Sequence, residues 1–289
     1  QNVVGRATKG AAQSLLGKVY VYQDKFEEAA TVLASAISGP YFLVTDYASI
    51  FEHEGENGSE SIFEVQYTDV EGAGFDCLQC SEGNVAVGFN GIRQYDGPTF
   101  DSGYSFNVPT QEVVDAFETG DIRKDVAILD IDAWNAANGS SSGEGYEHTG
   151  YFNRKYIARK GDLNTGDQNL TNPNNYRSIR LADVMLLAAE ANNRKTPAND
   201  AQALVYLNQV RQRAGLAALS VTGPDLRQAI DQERRVELVG EGHRFFDLVR
   251  TGAASREIDG FVAGKHEVFP IPQIEIELAG SRWAQNPGY

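Results

Sequence analysis

VELVGEGHRFFDLVRTG, residues 236–252, gathers Glu237, Glu241, His243, Arg244, Asp247 and Arg250 within a few helical turns around Phe245, Phe246 and Leu248. So dense a set of ionisable groups reads either as an acid/base site or as scaffold. Consecutive helical residues point in different directions, so His243 is not set beside both Glu241 and Arg244 by adjacency in the chain. Charges three residues apart, Glu241 with Arg244 and Asp247 with Arg250, predict ordinary pairs on a helix surface or between helices. Gly240 and Gly242 interrupt the helical pattern and Gly252 ends it. The stretch is scaffold, and the fold is read outward from it.

Upstream, apolar periodicity predicts a helix from Asp225 to about Val239 and a hairpin before it. That hairpin pairs Ile179–Asn192 with Asp200–Ala214, is broken at Pro197 and ends at Gly215. A further hairpin spans Thr8 to Ser38, with its break at Gln23-Asp24-Lys25. In it Leu16, Gly17, Tyr20, Ala29, Leu33 and Ala36, followed by Pro40, fall where a tetratricopeptide repeat places its packing residues. Small Gly17 and Ala29 let the two helices approach closely. About 140 residues separate the two hairpins, an insertion long enough to carry the function.

The insertion, Tyr41 to Tyr176, is rich in Gly, Asn, Ser, Asp and aromatic residues. Short alternating runs at Ser61–Tyr67, Val126–Ile131 and Tyr151–Ile157 predict strands, and Pro109–Thr119 predicts the one helix within it. The segments EGAGFDCLQCSEGN, FNGIRQYDGPTFDSGYS and DAWNAANGSSSGEGYEHTG read as loops.

The chain of 289 residues has 40 acidic and 25 basic residues, a formal charge of −15, and 42% hydrophobic residues. This suits a soluble globular core and argues against nucleic acid or an anionic membrane surface as partner. An uncharged ligand fits better than an anionic one. No apolar run approaches the ~20 residues of a membrane span, and no signal peptide opens the sequence. The chain begins at Gln1 and has one methionine, Met185, which reads as a processed or truncated piece.

RATKGAAQSLLGKVYVYQDKFEEAA, VPTQEVVDAFETGDIR, GYFNRKYI, YRSIRLADVMLLAAEA, LNQVRQRAG, ERRVELVGEGHRFFDLVRTG and VFPIPQIEIELAGSRWAQNPGY, in that order, resemble the SusD/RagB family over nearly the whole chain. The resemblance implies a mainly α fold: tetratricopeptide-like hairpins form a scaffold around a large loop-rich insertion with short strands. It implies one SusD-like domain, 1–289, lacking its N-terminal part, with the first hairpin at 6–40, a ligand-binding insertion at 41–176, and a helical scaffold and closing segment at 177–289. It further implies a non-catalytic surface lipoprotein of the outer membrane of Bacteroidetes. Such a protein hands a glycan or other nutrient to a SusC-like TonB-dependent transporter, and its lipid anchor lies on an N-terminal part outside this sequence. Residues 236–252 match the family's EG-x-R-x-F-D-L-x-R pattern and 285–289 its closing QNPGY, beside which Trp283 is expected to anchor the chain end.

The resemblance places ligand capture in the insertion loops without selecting residues. Sugars present flat C–H faces to aromatic rings and hydroxyls to amides, carboxylates and guanidinium groups. On that chemistry Trp134, expected to open a Gly/Ser/Asn-rich loop running to Tyr146, His148 and Tyr151, is the leading stacking candidate. Tyr95, Tyr104 and Phe75 follow, with Asn90, Arg93 and Asp96 as polar partners. Cys77 and Cys80 lack the strand–helix context of a redox motif and the further ligands of a zinc site. On a cell surface they read as a local disulfide that stiffens a binding loop and holds Phe75 outward, with free thiols as the other reading. Asp162-x-Asn164-x-Gly166-Asp167 lacks the ligand order of a calcium loop, so no metal or cofactor is expected. Three functions stand: glycan capture without catalysis, a helical-repeat adaptor for a peptide or protein, and a glycoside hydrolase. Dispersed hairpins around a large insertion favour the first over the second, and 40 acids with no motif of fixed spacing give no positive sign of the third.

Overall fold

In a computed structural model, residues 3–162, 165–280 and 282–289 are described, and the chain separates into two compact units, one up to Gly240 and one from Glu241. Helices α1 (Lys9–Tyr22) and α2 (Phe26–Ile37) form the first hairpin, with Asp24 turning the chain at φ 56°. The hydroxyl of Thr8 caps α1 by accepting from Ala11 N at 3.1 Å. A Cβ on Gly17 would lie 2.3 Å from Leu33 Cδ2, so a larger residue there would displace the buried Leu33 side chain. Leu33, Ala29 and Ala36 are buried as the repeat pattern requires. Leu16 departs from it: the buried stripe of α1 is Ala11, Ser14, Gly17 and Val21, and Leu16 is turned outward.

The insertion contributes little regular structure. Strand β1 (Ser61–Val65) is followed by helix α3 (Val85–Asn90), the two-residue strands β2 (Ile92–Arg93) and β3 (Ser102–Gly103), and short helices α4 (Gln111–Asp115) and α5 (Lys124–Ala127). Then come β4 (Ile128–Asp130), α6 (Ile131–Asn138), β5 (Tyr151–Asn153) and β6 (Tyr176–Arg180). The pairings are β1 with β6 and β4 with β5, both antiparallel, and β2 with β3, parallel. The expectation of a single helix here is corrected: α3 and α5 begin in residues assigned no element and run into segments read as loop and strand, and α6 occupies the start of a segment read as loop. In α6 the carboxylate of Asp130 accepts from Ala133 N at 3.0 Å and Gly139 closes the helix at φ 61°, so local capping organises a Gly/Ser/Asn-rich sequence.

The β1–β6 ladder brings the two ends of the insertion together, and the chain passes directly into α7 (Leu181–Arg194). Ile179, expected to open that helix, belongs to β6. Every residue from Leu181 to Asn193 is buried, because α2 packs on one side of α7 and α8 (Asp200–Arg213) and α9 (Gly223–Glu237) on others. The two hairpins thus stack around α7 despite their separation in sequence. Leu33, Leu186, Leu187, Leu207, Val210, Leu226 and Ile230 fill the shared core.

Glu237, the last residue of α9, is fully buried and joins the insertion to this scaffold. Its Oε1 accepts from Arg180 and Arg213, both at 2.5 Å, and its Oε2 from Arg123 at 2.9 Å. Its backbone carbonyl accepts from Tyr47 Oη, Lys155 Nζ and Arg180. Arg123 also makes a bidentate pair with Asp121 and reaches Glu233 at 2.6 Å, while Glu60 binds Arg180 and Arg213, each at 3.0 Å. Arg211 joins Glu233 at 3.0 Å and Glu118 at 2.6 Å, so five carboxylates, Glu60, Glu118, Asp121, Glu233 and Glu237, meet five cations, Arg123, Lys155, Arg180, Arg211 and Arg213, and Tyr47 lies under the Arg213 guanidinium at 4.7 Å. A balanced, hydrogen-bonded set is the condition under which buried charge is tolerated.

The second unit holds α10 (Arg244–Arg250), α11 (Ala254–Glu257) and α12 (Gln273–Leu278). Asp247 and Arg250 pair at 2.8 Å as expected, but both side chains are buried, so the pair is not a surface one. The closing motif is tied down by amides. Gln285 exchanges two hydrogen bonds with the backbone of Ile271, Asn286 donates to Phe269 O and Tyr289 to Val268 O. Trp283, expected to be the anchor, is 55% exposed.

Burial alone would raise the Glu237 carboxyl, but Arg213, Arg180, Arg123 and Lys155 outweigh it and hold its pKa far below the ordinary glutamate range. Glu233 lies the other way, burial raising it against the pull of Arg123 and Arg211. A depressed carboxylate pKa means that the unfolded chain protonates first. The Glu237 contribution is therefore complete above the ordinary value of 4.5 and is lost as pH falls toward the folded value. Glu237→Gln leaves buried cations uncompensated and is expected to cost about 3–5 kcal/mol near neutral pH. Urea melts between pH 7 and pH 3 check this: the difference between the two proteins should shrink with acidification, and a constant difference would contradict the assignment.

A candidate glycan-binding surface

The aromatic residues of the insertion divide into two groups. Trp134 lies on α6, not in an open loop, and is half-buried against Ile92, Phe100, Leu129, Ile131, Phe152 and Ile157. Its ring centroid is 5.1 Å from that of Phe100, its Nε1 donates to Tyr95 Oη at 3.1 Å, and the Arg154 guanidinium lies 5.4 Å from its ring. Burial and the neighbouring Arg159 pull the Arg154 pKa down. Tyr95 is 6% exposed. The expectation of an open-loop stacking surface is therefore corrected: Tyr95 is buried, and Trp134 is half-buried on a helix. The capped helix turns the indole inward, and the tyrosine hydroxyl is used to satisfy it.

A different group faces outward. Gly103 approaches so close to α3 that a Cβ there would lie 2.4 Å from both Gly88 O and Gly91 Cα. The segment after it is hydrogen-bonded across the end of α3: Tyr104 N donates to Gly88 O, Ser105 N to Gly91 O and Phe106 N to Phe89 O, at 3.1, 2.7 and 2.8 Å. Ser105 and Asn107 take positive φ angles, 59° and 55°, which turn this strip over the helix end. Phe89, Tyr104 and Phe106 are thereby collected into one triangle of rings with centroid separations of 5.7, 6.1 and 6.1 Å. Phe106 is 55% exposed and the other two are half-buried.

Polar groups border the rings. Arg93 donates to Tyr104 O at 2.9 Å, and no carboxylate pairs with it among the described residues, so donors remain for a ligand. Asn90 is buried and accepts from Asn107 at 3.4 Å. The 143–146 segment is seated here by Gly143 N donating to Arg93 O, with Gly145 against Ser105, and Tyr146 projects beyond it, 88% exposed. Asp96 is exposed, its backbone paired with Ser141. Of the residues expected from sequence, Tyr104, Asn90 and Arg93 come together. Phe75 is exposed on a separate loop in which Cys77 and Cys80 form a disulfide. Phe89 and Phe106 were not anticipated. The signal available was their position among Gly88, Gly91 and Gly103, glycines that mark close backbone approach.

Among the described residues no group of three His, Cys, Asp or Glu side chains is placed to hold a metal ion; Asn164 of the calcium-like run lies outside them. Asp162 and Asp167 spend carboxylate oxygens on the backbone N–H groups of Arg159 and Asn169.

Residues 129–289 match the model of the SusD family, more than half of the chain. The chain belongs to the SusD/RagB family. A solved laminarin-binding SusD-like protein is 40% identical, with a TM-score of 0.88 over 99% of this chain and 63% of that one. Surface glycan-binding protein A from Bacteroides thetaiotaomicron, in complex with laminarihexaose, is 31% identical with a TM-score of 0.85 over 98% of this chain and 65% of that one. Among curated relatives, SusD-like protein P2 of Formosa agariphila is 28% identical over 98% of this chain. The chain spans 60% of that relative's length. The mainly α, hairpin-built scaffold with a loop-rich insertion is thus the SusD-like fold.

Trp134 in this setting packs part of its ring against a buried cluster. Trp134→Ala should lower stability by about 2 kcal/mol, less than the 3–5 typical of a fully buried aromatic. A thermal melt showing no loss would return the indole to the list of ligand contacts.

Proposed function

We propose that this protein captures a neutral glucan of the laminarin type on the Phe89–Tyr104–Phe106 surface, without cleaving it. The observation that carries the reading is the ring triangle itself: three aromatic side chains held at the surface by backbone hydrogen bonds, with the unpaired donors of Arg93 beside them. Apolar ring faces complement the C–H faces of pyranoses, and guanidinium and amide groups complement hydroxyls. The kinship with laminarin-binding and laminarihexaose-bound proteins supports the choice of glucan. Rings, an arginine and amides supply no pair of carboxylates flanking a scissile bond, which hydrolysis uses. In this reading the protein works at the outer-membrane surface as a lipid-anchored protein and passes its glycan to a SusC-like TonB-dependent transporter.

Phe106 is the most exposed ring, so its removal separates binding from folding. Phe106→Ala should weaken laminarihexaose binding about ten-fold, corresponding to ~1.4 kcal/mol, and Arg93→Ala by a similar factor. Titration calorimetry on variants with unchanged melting temperature checks this. Unaltered affinity in both, or release of shorter oligosaccharides by the pure protein, would overturn the reading.

A further inference from the structure

Backbone strain marks a neighbour of the ring triangle. Six non-glycine residues among those described take left-handed backbone, and four of them, Gln94, Ser105, Asn107 and Glu147, at φ 50°, 59°, 55° and 54°, lie on the three strips that meet at Arg93. Such angles are unfavourable for residues with side chains and persist where surrounding contacts fix them, a pattern that gathers at ligand sites. Ser105 and Asn107 shape the strip that carries the triangle. Gln94 and Glu147 have no part in it. They border a further strip, 141–147, fastened to the backbone beside Arg93: Ser141 and Asp96 exchange two hydrogen bonds, each at 2.9 Å, and Gly143 N donates to Arg93 O at 2.8 Å. Glycine makes the contact close, since a Cβ on Gly145 would lie 2.8 Å from Ser105 Cβ and 3.8 Å from Arg93 Nε. On its far side Ile131 N donates to Gly150 O at 3.0 Å and ties the chain back to α6.

Between those ties Tyr146 stands 88% exposed, its side chain making no hydrogen bond or ring contact with the described residues. The Gln94 side chain is exposed and unbonded as well, and lies against the same strip, for a Cβ on Gly143 would be 2.4 Å from its Oε1. A ring held out on a strip fastened at both sides stabilises nothing within the chain. Its chemistry repeats that of the triangle: a flat apolar face beside an amide that both donates and accepts, with the free donors of Arg93 between the two. Glu144 and Glu147, exposed on either side of the ring, accept from hydroxyls and repel anions. The ligand suited to it is a further neutral sugar of a chain already resting on the triangle. Two contacts on one chain act as linked binding events, so affinity rises once the chain is long enough to reach both.

We propose that Tyr146 is the stacking residue of a second sugar subsite, contiguous with the ring triangle across Arg93, with the Gln94 amide as its hydroxyl partner. The subsite rests on the glucan reading above and makes the protein select for chain length. NMR titration of the protein and its variants with laminaribiose and with laminarihexaose tests it, melting temperatures confirming that each variant is folded. Tyr146→Ala should weaken laminarihexaose binding about five-fold and leave laminaribiose unchanged, while Tyr146→Phe, which keeps the ring, retains both. Gln94→Gly, which accommodates the left-handed backbone, should lose about three-fold on the hexaose alone. Phe106→Ala should weaken both sugars. If it does so while Tyr146→Ala leaves hexaose affinity intact, the subsite is overturned and the glucan reading stands. Equal losses on the two sugars in Tyr146→Ala would place the ring in the triangle's own site and overturn the subsite too. Unchanged hexaose affinity in Gln94→Gly overturns the amide's assignment. If neither Phe106→Ala nor Arg93→Ala alters either affinity, the glucan reading falls and the subsite falls with it.

Discussion

Glu237, its carboxylate buried among three arginines and its backbone carbonyl accepting from a lysine, is the constraint on which the arrangement of this protein depends. Its partners come from both the insertion and the helical scaffold: Arg123 and Lys155 from the insertion, Arg180 from the end of its closing ladder, and Arg213 from α8. Charges buried so deeply are favourable only when all partners are present together. Each segment can therefore settle only in the position that completes the set.

That requirement explains how a segment with three two-stranded ladders and a few short helices holds a defined shape. Backbone pairing within it is sparse, and its apolar clusters are small. The ionic set attaches its middle to α9, and the β1–β6 ladder closes its ends at α7. Asparagines perform the same service locally. Asn174 and Asn175, buried although polar, bond to Phe51 O and to Glu64 and Tyr67 across the loops. With the frame fixed in this way, the ring triangle over α3 and the strip that carries Tyr146 stand as surfaces presented by a rigid base.

The helical scaffold was legible because its signal is local. Gly17, Leu33 and the α7 stripe announce themselves by periodicity and size, and Gly215, Gly242 and Gly252 mark ends by their left-handed backbone. The glutamate network was not legible, since Glu237 and Arg123 lie 114 residues apart and nothing in either neighbourhood names the other. Stretch 236–252 was read correctly as scaffold, yet for reasons of family pattern and helix geometry, not for its buried charge. Trp134 was assigned to an open loop because composition was weighed above capping: Asp130 and Gly139 bracket a helix inside a sequence that looks like loop. Phe89 and Phe106 were missed because their meeting is made by glycine contacts between β3 and α3, a tertiary event that ring count alone does not reveal. Arg93 and Tyr104 were chosen on chemistry, and the fold places them together.

The most direct measurement is a crystal structure of the protein with bound laminarihexaose. Pyranose rings resting on Phe89, Tyr104 and Phe106, with hydroxyls at hydrogen-bond distance from Arg93, are the expected result. Sugar bound elsewhere on the molecule, with those three rings left bare to solvent, would contradict the account.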